Sequence, residues 1–187
     1  MDELEKMLLG APYDASDPAL VEARASARRL ARRFNAVDPS DGDARAAVLG
    51  DLLGGVGAGA WVEAPFYCDY GAQIHLGDRA FINMCCIFLD AARITIHDDV
   101  QIGPGVQLLT SDHPRDAAQR AGGLESARPI VIGARAWLGG SVVVLPGVEI
   151  GHDTIIGAGS VVTRSVGPGL VAAGNPCRVI SKCNVPE

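Results

Sequence analysis

After about residue 72, apolar positions return every six residues. Ile132, Leu138, Val144, Ile150, Ile156 and Val162 mark the cleanest stretch, and glycine directly follows at Gly133, Gly139, Gly151 and Gly157. Four residues behind each aliphatic comes a small or β-branched side chain: Ala136, Val142, Val148, Thr154, Ser160 and Val166. Upstream the phase holds at Leu76, Ile82 and Phe88, then at Ile96, Ile102 and Leu108, and the eight-residue step from Phe88 to Ile96 reads as a two-residue bulge in one turn. An amphipathic helix repeats near 3.6 and a half-buried strand near 2, so a period of six fits neither. It fits a solenoid with three short faces per coil, whose aliphatic residues are buried only when coils stack.

A different pattern precedes the repeats. Asp17-Pro18 supplies a helix N-cap and a first-turn proline. From Ala19 to Phe34, Leu20, Ala23, Ala27, Leu30, Ala31 and Phe34 form one apolar stripe, with Arg24, Arg28, Arg29, Arg32 and Arg33 over much of the rest. Asp43 to Leu53 predicts another helix, carrying Ala47, Leu49, Leu52 and Leu53 and stopping before Gly54-Gly55. The expected organisation is a helical cap over residues 1–55 and a repeat domain over 56–187.

The repeat is interrupted once, between Leu108 and Ile132, by an interval of twenty-four residues that is a multiple of six. The solenoid resumes in phase, so residues from about Pro114 to Arg128 are expected to be extruded as a polar loop, with His113 where the chain leaves the scaffold. Long excursions from rigid scaffolds are where sites are built, and a histidine titrates near neutrality.

Composition narrows the chemistry. With a formal net charge of −6 and no Lys/Arg cluster interleaved with aromatics, nothing here resembles a nucleic-acid binder. The acidic first residues and the lack of a long apolar run predict neither signal peptide nor membrane span, hence a cytoplasmic protein. Cys68, Cys85, Cys86, Cys177 and Cys183 show no zinc or redox spacing and read as reduced packing residues. Cys85 or Cys86 could serve as a nucleophile only if paired with a base, and no such pairing is visible. No metal is expected: of His75, His97, His113 and His152, no two lie closer than sixteen residues, unlike the γ-type carbonic anhydrases built on the same kind of solenoid.

The repeats, together with an ordered set of landmarks, resemble the hexapeptide-repeat acyltransferases, and among them the maltose and galactoside O-acetyltransferases. The landmarks are Gly10-Ala11-Pro12-Tyr13-Asp14 through Phe34-Asn35 in the cap, then Phe66-Tyr67-Cys68-Asp69-Tyr70-Gly71, Phe81-Ile82-Asn83, Asp112-His113-Pro114, Trp137-Leu138-Gly139-Gly140 and Gly174-Asn175-Pro176-Cys177-Arg178. The resemblance implies a mainly β fold, a left-handed parallel β-helix with a small N-terminal α-helical cap. It also implies a homotrimer that transfers acetyl from acetyl-CoA to a sugar hydroxyl. Serine and antibiotic acetyltransferases, or a non-catalytic hexapeptide scaffold, are the alternatives.

What the resemblance implies for residues follows position by position. His113 would be the general base, with Glu125 orienting it or simply solvated, and Asn83 would contact substrate or help the transition state, or serve as a turn residue. Asp14, Arg24, Asp69, Tyr70 and Asp90 match acceptor-side positions. Gly140, Ala158 and Thr163 would line the arm of acetyl-CoA, Trp137 the acetyl pocket or a subunit interface, and Arg164 and Arg178 its phosphates. Where galactoside enzymes carry a second acidic residue after Asp90, this chain has Ala91.

Overall fold

The structure is a computed structural model describing residues 1–183. The chain opens with α1 (Glu3–Leu8), a short strand β1 (Tyr13–Asp14), and the helices α2 (Pro18–Ala36) and α3 (Gly42–Leu52). The Asp17 carboxylate accepts the Ala19 N–H and Pro18 fills the first turn of α2. Leu20, Ala27, Ala31 and Phe34 of the expected stripe are buried, whereas Ala23 is exposed. In α3 the buried face is Arg45, Val48, Leu49 and Leu52, so Ala47 points outward. The Arg45 guanidinium lies 4.9 Å from the Phe34 ring centroid and 5.2 Å from that of Trp61, and donates to the Val62 carbonyl. Cation–π contacts and a buried hydrogen bond thereby join cap to solenoid.

Five coils follow. The first is β2 (Gly55–Val56), β3 (Trp61–Val62) and β4 (Phe66–Cys68); the second β5 (Ile74–Leu76), β6 (Phe81–Ile82) and β7 (Cys86–Leu89); the third β8 (Ile94–Ile96), β9 (Gln101–Ile102) and β10 (Gln107–Leu109). The chain then makes its excursion through β11 (Ser111–Asp112), α4 (Ala117–Ala121) and β12 (Leu124–Ala127). Coil four is β13 (Ile130–Ile132), β14 (Trp137–Leu138) and β15 (Val143–Val144), coil five β16 (Glu149–Ile150), β17 (Ile155–Ile156) and β18 (Val161–Val162), and β19 (Leu170–Ala173) and β20 (Arg178–Lys182) close the end as an antiparallel pair. First, second and third strands of successive coils pair in parallel, giving three faces. The fold is thus mainly β, a parallel β-helix with a helical cap.

The period of six is a burial pattern. Ile132, Leu138, Val144, Ile150, Ile156 and Val162 are all 0% exposed, and Ala136, Val142, Val148, Thr154, Ser160 and Val166 are buried as the second register. Two buried hydroxyls in that register are satisfied internally, Thr154 donating to the Gly167 carbonyl and Ser160 to that of Gly157.

Two expectations need correction. Upstream partners sit twenty residues apart, as Val62 with Ile82 and Cys68 with Phe88, against eighteen downstream, as Leu138 with Ile156. The two-residue insertion therefore recurs in two coils, at the corner after β4 and again after β7. The third coil's corner of the same kind emits the excursion, while Leu108 still pairs directly with Val144.

The excursion itself is not a plain loop. β11 and β12 form a hairpin (Ser111 opposite Ala127, Asp112 opposite Ser126) with α4 at its tip. The outer edge of β12 pairs antiparallel with β1, Tyr13 opposite Glu125. Strands this short carry no periodicity, and the partner of β12 lies at the other end of the chain. None of the described helices is long and apolar enough to cross a membrane.

Candidate active site

Each coil turns three corners, and the sequence-predicted residues fall at two of them. The expanded corner, which follows β4, β7 and β10, carries Asp69, Tyr70, Asp90 and, through the excursion, His113 and Glu125. The tight corner, which follows β6, β9, β14 and β17, carries Asn83, Gly140 and Ala158, with Trp137 on the adjoining strand and Arg178 just past the last coil. One strand of the third face separates the two sets. Gly105 and Thr110, at its ends, are five extended residues apart, about 16 Å at ~3.3 Å per residue. A single chain therefore holds two half-sets and does not bring them together.

At the expanded corner a cavity of about 230 Å³ is lined by Tyr13, Ala15, Arg24, Arg28, Asp69, Tyr70, Ala91, Ser111 and Glu125. Arg24 donates to the Tyr70 hydroxyl (2.7 Å) and to the Ala15 carbonyl (2.6 Å), and Arg28 reaches Asp69 at 3.3 Å. Tyr13, buried, donates to Glu125 Oε2 at 2.9 Å. Burial above all, then the hydrogen bond to the Glu125 carboxylate, hold the Tyr13 phenol far above the ordinary tyrosine range, so it is a permanent donor.

Asp14 and Asp90 have other occupations. Asp14 is exposed and its carboxylate accepts the Ser16 N–H and hydroxyl, closing a local turn ahead of α2. Asp90 is 0% exposed, and its oxygens accept the backbone N–H groups of Asp69, Tyr70 and Gln73. Its carboxylate holds the expanded corner of the coil above, so it shapes the cavity without facing it. Burial is the main influence on its acidity and pushes it up to about 6.

A second, larger groove of about 600 Å³ runs along the same corner downstream, lined by Asp112, Arg115, Arg128, Leu145, Pro146, Thr163 and Arg164 among others. Strand β11 stands between the two, with Ser111 lining both and Asp112 lining the groove alone. His113, exposed, follows at the end of that strand. The Asp112 carboxylate accepts the His113 N–H at 2.9 Å and the Arg128 guanidinium at 3.2 Å, tying the two feet of the excursion together. His113 itself lines neither pocket; its imidazole, one residue beyond Asp112, is the one nearest in sequence to both and can take a proton from a hydroxyl.

At the tight corner Asn83 is half-buried, its side-chain oxygen accepting the Met84 N–H (2.8 Å). Trp137 is 52% exposed on the outer surface of β14. A Cβ on Gly140 would lie 3.3 Å from the Pro104 carbonyl, and Ala158 is exposed beside it. Arg178 is exposed and donates to the carbonyl of Cys177. It does not join Arg164, whose neighbours in the groove are Arg115 and Arg128. Those two arginines, with Tyr13, Arg28 and Ser111, are lining residues that sequence reasoning missed. Tyr13 stood in a cap landmark, but nothing linked it to the excursion. Burial pushes the Cys86 thiol up to about 11, the wrong direction for a nucleophile. Among the described residues no group of three His, Cys, Asp or Glu side chains is arranged to hold a metal ion.

The comparisons with known proteins give the family and the fold. Residues 6–57 match the maltose acetyltransferase hexapeptide capping motif, and residues 129–164 the bacterial transferase hexapeptide of six repeats. The chain is 45% identical to nodulation protein L of Rhizobium meliloti (strain 1021), over 94% of this chain and 96% of that protein. A crystal structure of a maltose O-acetyltransferase from Clostridium difficile 630 superimposes with a TM-score of 0.96 at 45% identity, covering 99% of each chain. That of a galactoside acetyltransferase in complex with coenzyme A does so with a TM-score of 0.94 at 38% identity, covering 98% of this chain and 92% of the other.

Proposed function

We propose that this chain, which belongs to the maltose and galactoside O-acetyltransferase family of hexapeptide-repeat acetyltransferases, acetylates a sugar hydroxyl from acetyl-CoA by direct attack, with His113 as general base. The observation that carries the reading is strand β11, whose Ser111 lines both a small polar cavity and a groove with three arginines, with His113 following at its end. The cavity offers hydroxyl, guanidinium and carboxylate groups, the mixed donors and acceptors that a polyhydroxylated ring uses. The groove offers Arg115, Arg128 and Arg164 to the phosphates of acetyl-CoA. His113 takes the acceptor's proton as its oxygen bonds to the acetyl carbon; the C–S bond breaks, and the proton passes on to the departing sulfur.

The second half-set supports a homotrimer with shared sites. Trp61, Trp137 and Tyr67 are 39%, 52% and 50% exposed on the outer faces flanking the tight corner. Gly140 and the exposed Ala158 are small there and let another copy approach closely. In that assembly Asn83, Trp137, Gly140, Ala158 and Arg178 of one copy complete the site begun by His113 of the next.

The direct test is His113→Ala. It should keep the fold and the KM for acetyl-CoA while losing roughly 10²–10⁴-fold in kcat, the usual yield of general-base catalysis. Near-wild-type turnover would overturn the base assignment. Labelled acetyl retained on the protein without an acceptor would overturn direct attack. The sugar itself is tested by CoA release with maltose, glucose, galactosides, chitooligosaccharides, serine and chloramphenicol.

A further inference from the structure

Tyr13 belongs to a small hydrophobic cluster apart from the solenoid core, formed with Met7, Leu20, Ala91, Ala92 and Ala127. Three distant parts of the chain meet there: the cap through α1, β1 and α2, the second coil's expanded corner through Ala91 and Ala92, and the excursion through Ala127. The three alanines leave room for one large ring, and Tyr13 fills it at 1% exposure. Its backbone is fixed as well, since β1 pairs with β12 and sets Tyr13 directly opposite Glu125. The only part of the ring with a polar task is the hydroxyl, which donates to Glu125 Oε2 at 2.9 Å at the edge of the 230 Å³ cavity.

Glu125 has the opposite character. It is half-buried, on a strand of an excursion that is otherwise largely exposed, and its side chain has three rotatable bonds. A carboxylate so placed loses rotamer freedom only if something holds it. A tyrosine with two torsions, clamped by its own packing, is a suitable holder, and it engages one carboxylate oxygen while the other is left to the cavity.

We propose that Tyr13 is a positioning residue for Glu125: strand β1 of the cap completes the excursion's hairpin, and the Tyr13 hydroxyl sets the Glu125 carboxylate in the wall of the acceptor cavity. The inference rests on the reading of that cavity as the acceptor site beside His113. It assigns the cap a part in acceptor handling through a residue that needs no contact with the acceptor. It also gives Ala91 a reason, because a larger side chain there would enter both the Tyr13 cluster and the cavity.

The test is a double-mutant cycle in the full-length enzyme with Tyr13→Phe, Glu125→Gln and the pair, assayed for acetyl transfer with acceptor and acetyl-CoA varied separately. Tyr13→Phe keeps the ring and its packing, and thermal unfolding of each variant is measured alongside. The expected result is a loss of about 10- to 150-fold in kcat/KM for the acceptor in each single variant, of the order a hydrogen bond to a charged group supplies. KM for acetyl-CoA should stay unchanged, and the double variant should be no worse than Glu125→Gln alone. Losses that multiply in the double variant would show that Tyr13 acts independently of Glu125, and a fully active Tyr13→Phe beside an impaired Glu125→Gln would show that Glu125 needs no holder. Either overturns the positioning role and leaves the acceptor site standing. A fully active Glu125→Gln beside an inactive His113→Ala would remove Glu125 from the site, and the role of Tyr13 with it. Should Tyr13→Phe unfold, Ala127→Ser, which disturbs the same cluster while keeping the hydroxyl, replaces it; selective loss of acceptor kcat/KM supports the proposal, and an unaltered value overturns it.

Discussion

Asp90 and Asp14 stand at positions that resemblance assigns to acceptor binding; Asp90 accepts three backbone N–H groups, and one oxygen of Asp14 accepts the Ser16 N–H and hydroxyl. Asp90 does so in a fully buried place. Replacing it with Ala strands three N–H donors, at about 1–3 kcal/mol for each group left without a partner, so Asp90→Ala should unfold at clearly lower denaturant concentration. Asp14→Ala, exposed and confined to a local turn, should lose less than about 1 kcal/mol. Equal losses in the two variants would contradict the roles given them. Arg164→Ala tests the groove: KM for acetyl-CoA should rise more than kcat falls, because a phosphate contact persists from ground state to transition state. The loss should depend on salt. Residue type is what a sequence displays; of the residues it pointed to, Arg24 and Tyr70 lie on the small cavity and Arg164 on the groove. Orientation is not displayed, which is why the hydrogen bonds that the Asp90 carboxylate accepts from the corner of the coil above were not legible in the sequence.

The strands of the solenoid are two to four residues long, and their stability resides in the columns between coils. One corner shows this through backbone conformation. Gly59, Arg79, Asp99, Arg135, Asp153 and Gly169 stack in consecutive coils with φ between 56° and 69°. The four that are not glycine form two bidentate pairs, Arg79 with Asp99 and Arg135 with Asp153, offsetting part of the strain of that region. Arg135 first, then His152, hold the Asp153 carboxyl down to about 2. A depressed carboxylate adds stability that is present above the unfolded value near 4 and is lost as pH falls through 2. The stability gap between wild type and Asp153→Asn, measured by urea unfolding, should be level from pH 8 to 5 and narrow below pH 4. A gap that persists undiminished at pH 3 would exclude the pair as its source. Close stacking makes a second demand: a Cβ on Gly133 would lie 2.5 Å from the His152 nitrogen. Gly133→Ala should destabilise by about 1–3 kcal/mol, as overpacking against backbone does. These columns were legible because buried aliphatics repeat. β11 and β12 were not, since strands of two and four residues show no period and β1, which pairs with β12, is more than a hundred residues away.

At the scale of the whole molecule, the separation of the two half-sets across one face predicts how mixed assemblies behave. Sedimentation should give three chains. If His113→Ala and Trp137→Ala chains, each inactive, are unfolded and reassembled in equal amounts, about a quarter of the sites in a threefold ring should pair an intact His113 with an intact Trp137. Activity near that fraction of wild type is expected, and none would be regained if each chain held its own site. The excursion has a consequence of a different kind. It leaves at Thr110 and returns at Arg128, whose N–H donates to the Thr110 carbonyl at 2.9 Å, and Leu108 pairs with Val144 as though nothing lay between. Its two ends touch, so the scaffold is indifferent to what is strung between them. The excursion and the β1 strand can thus be exchanged together as a cassette between solenoids that share this doorway, without retuning the coils that carry them.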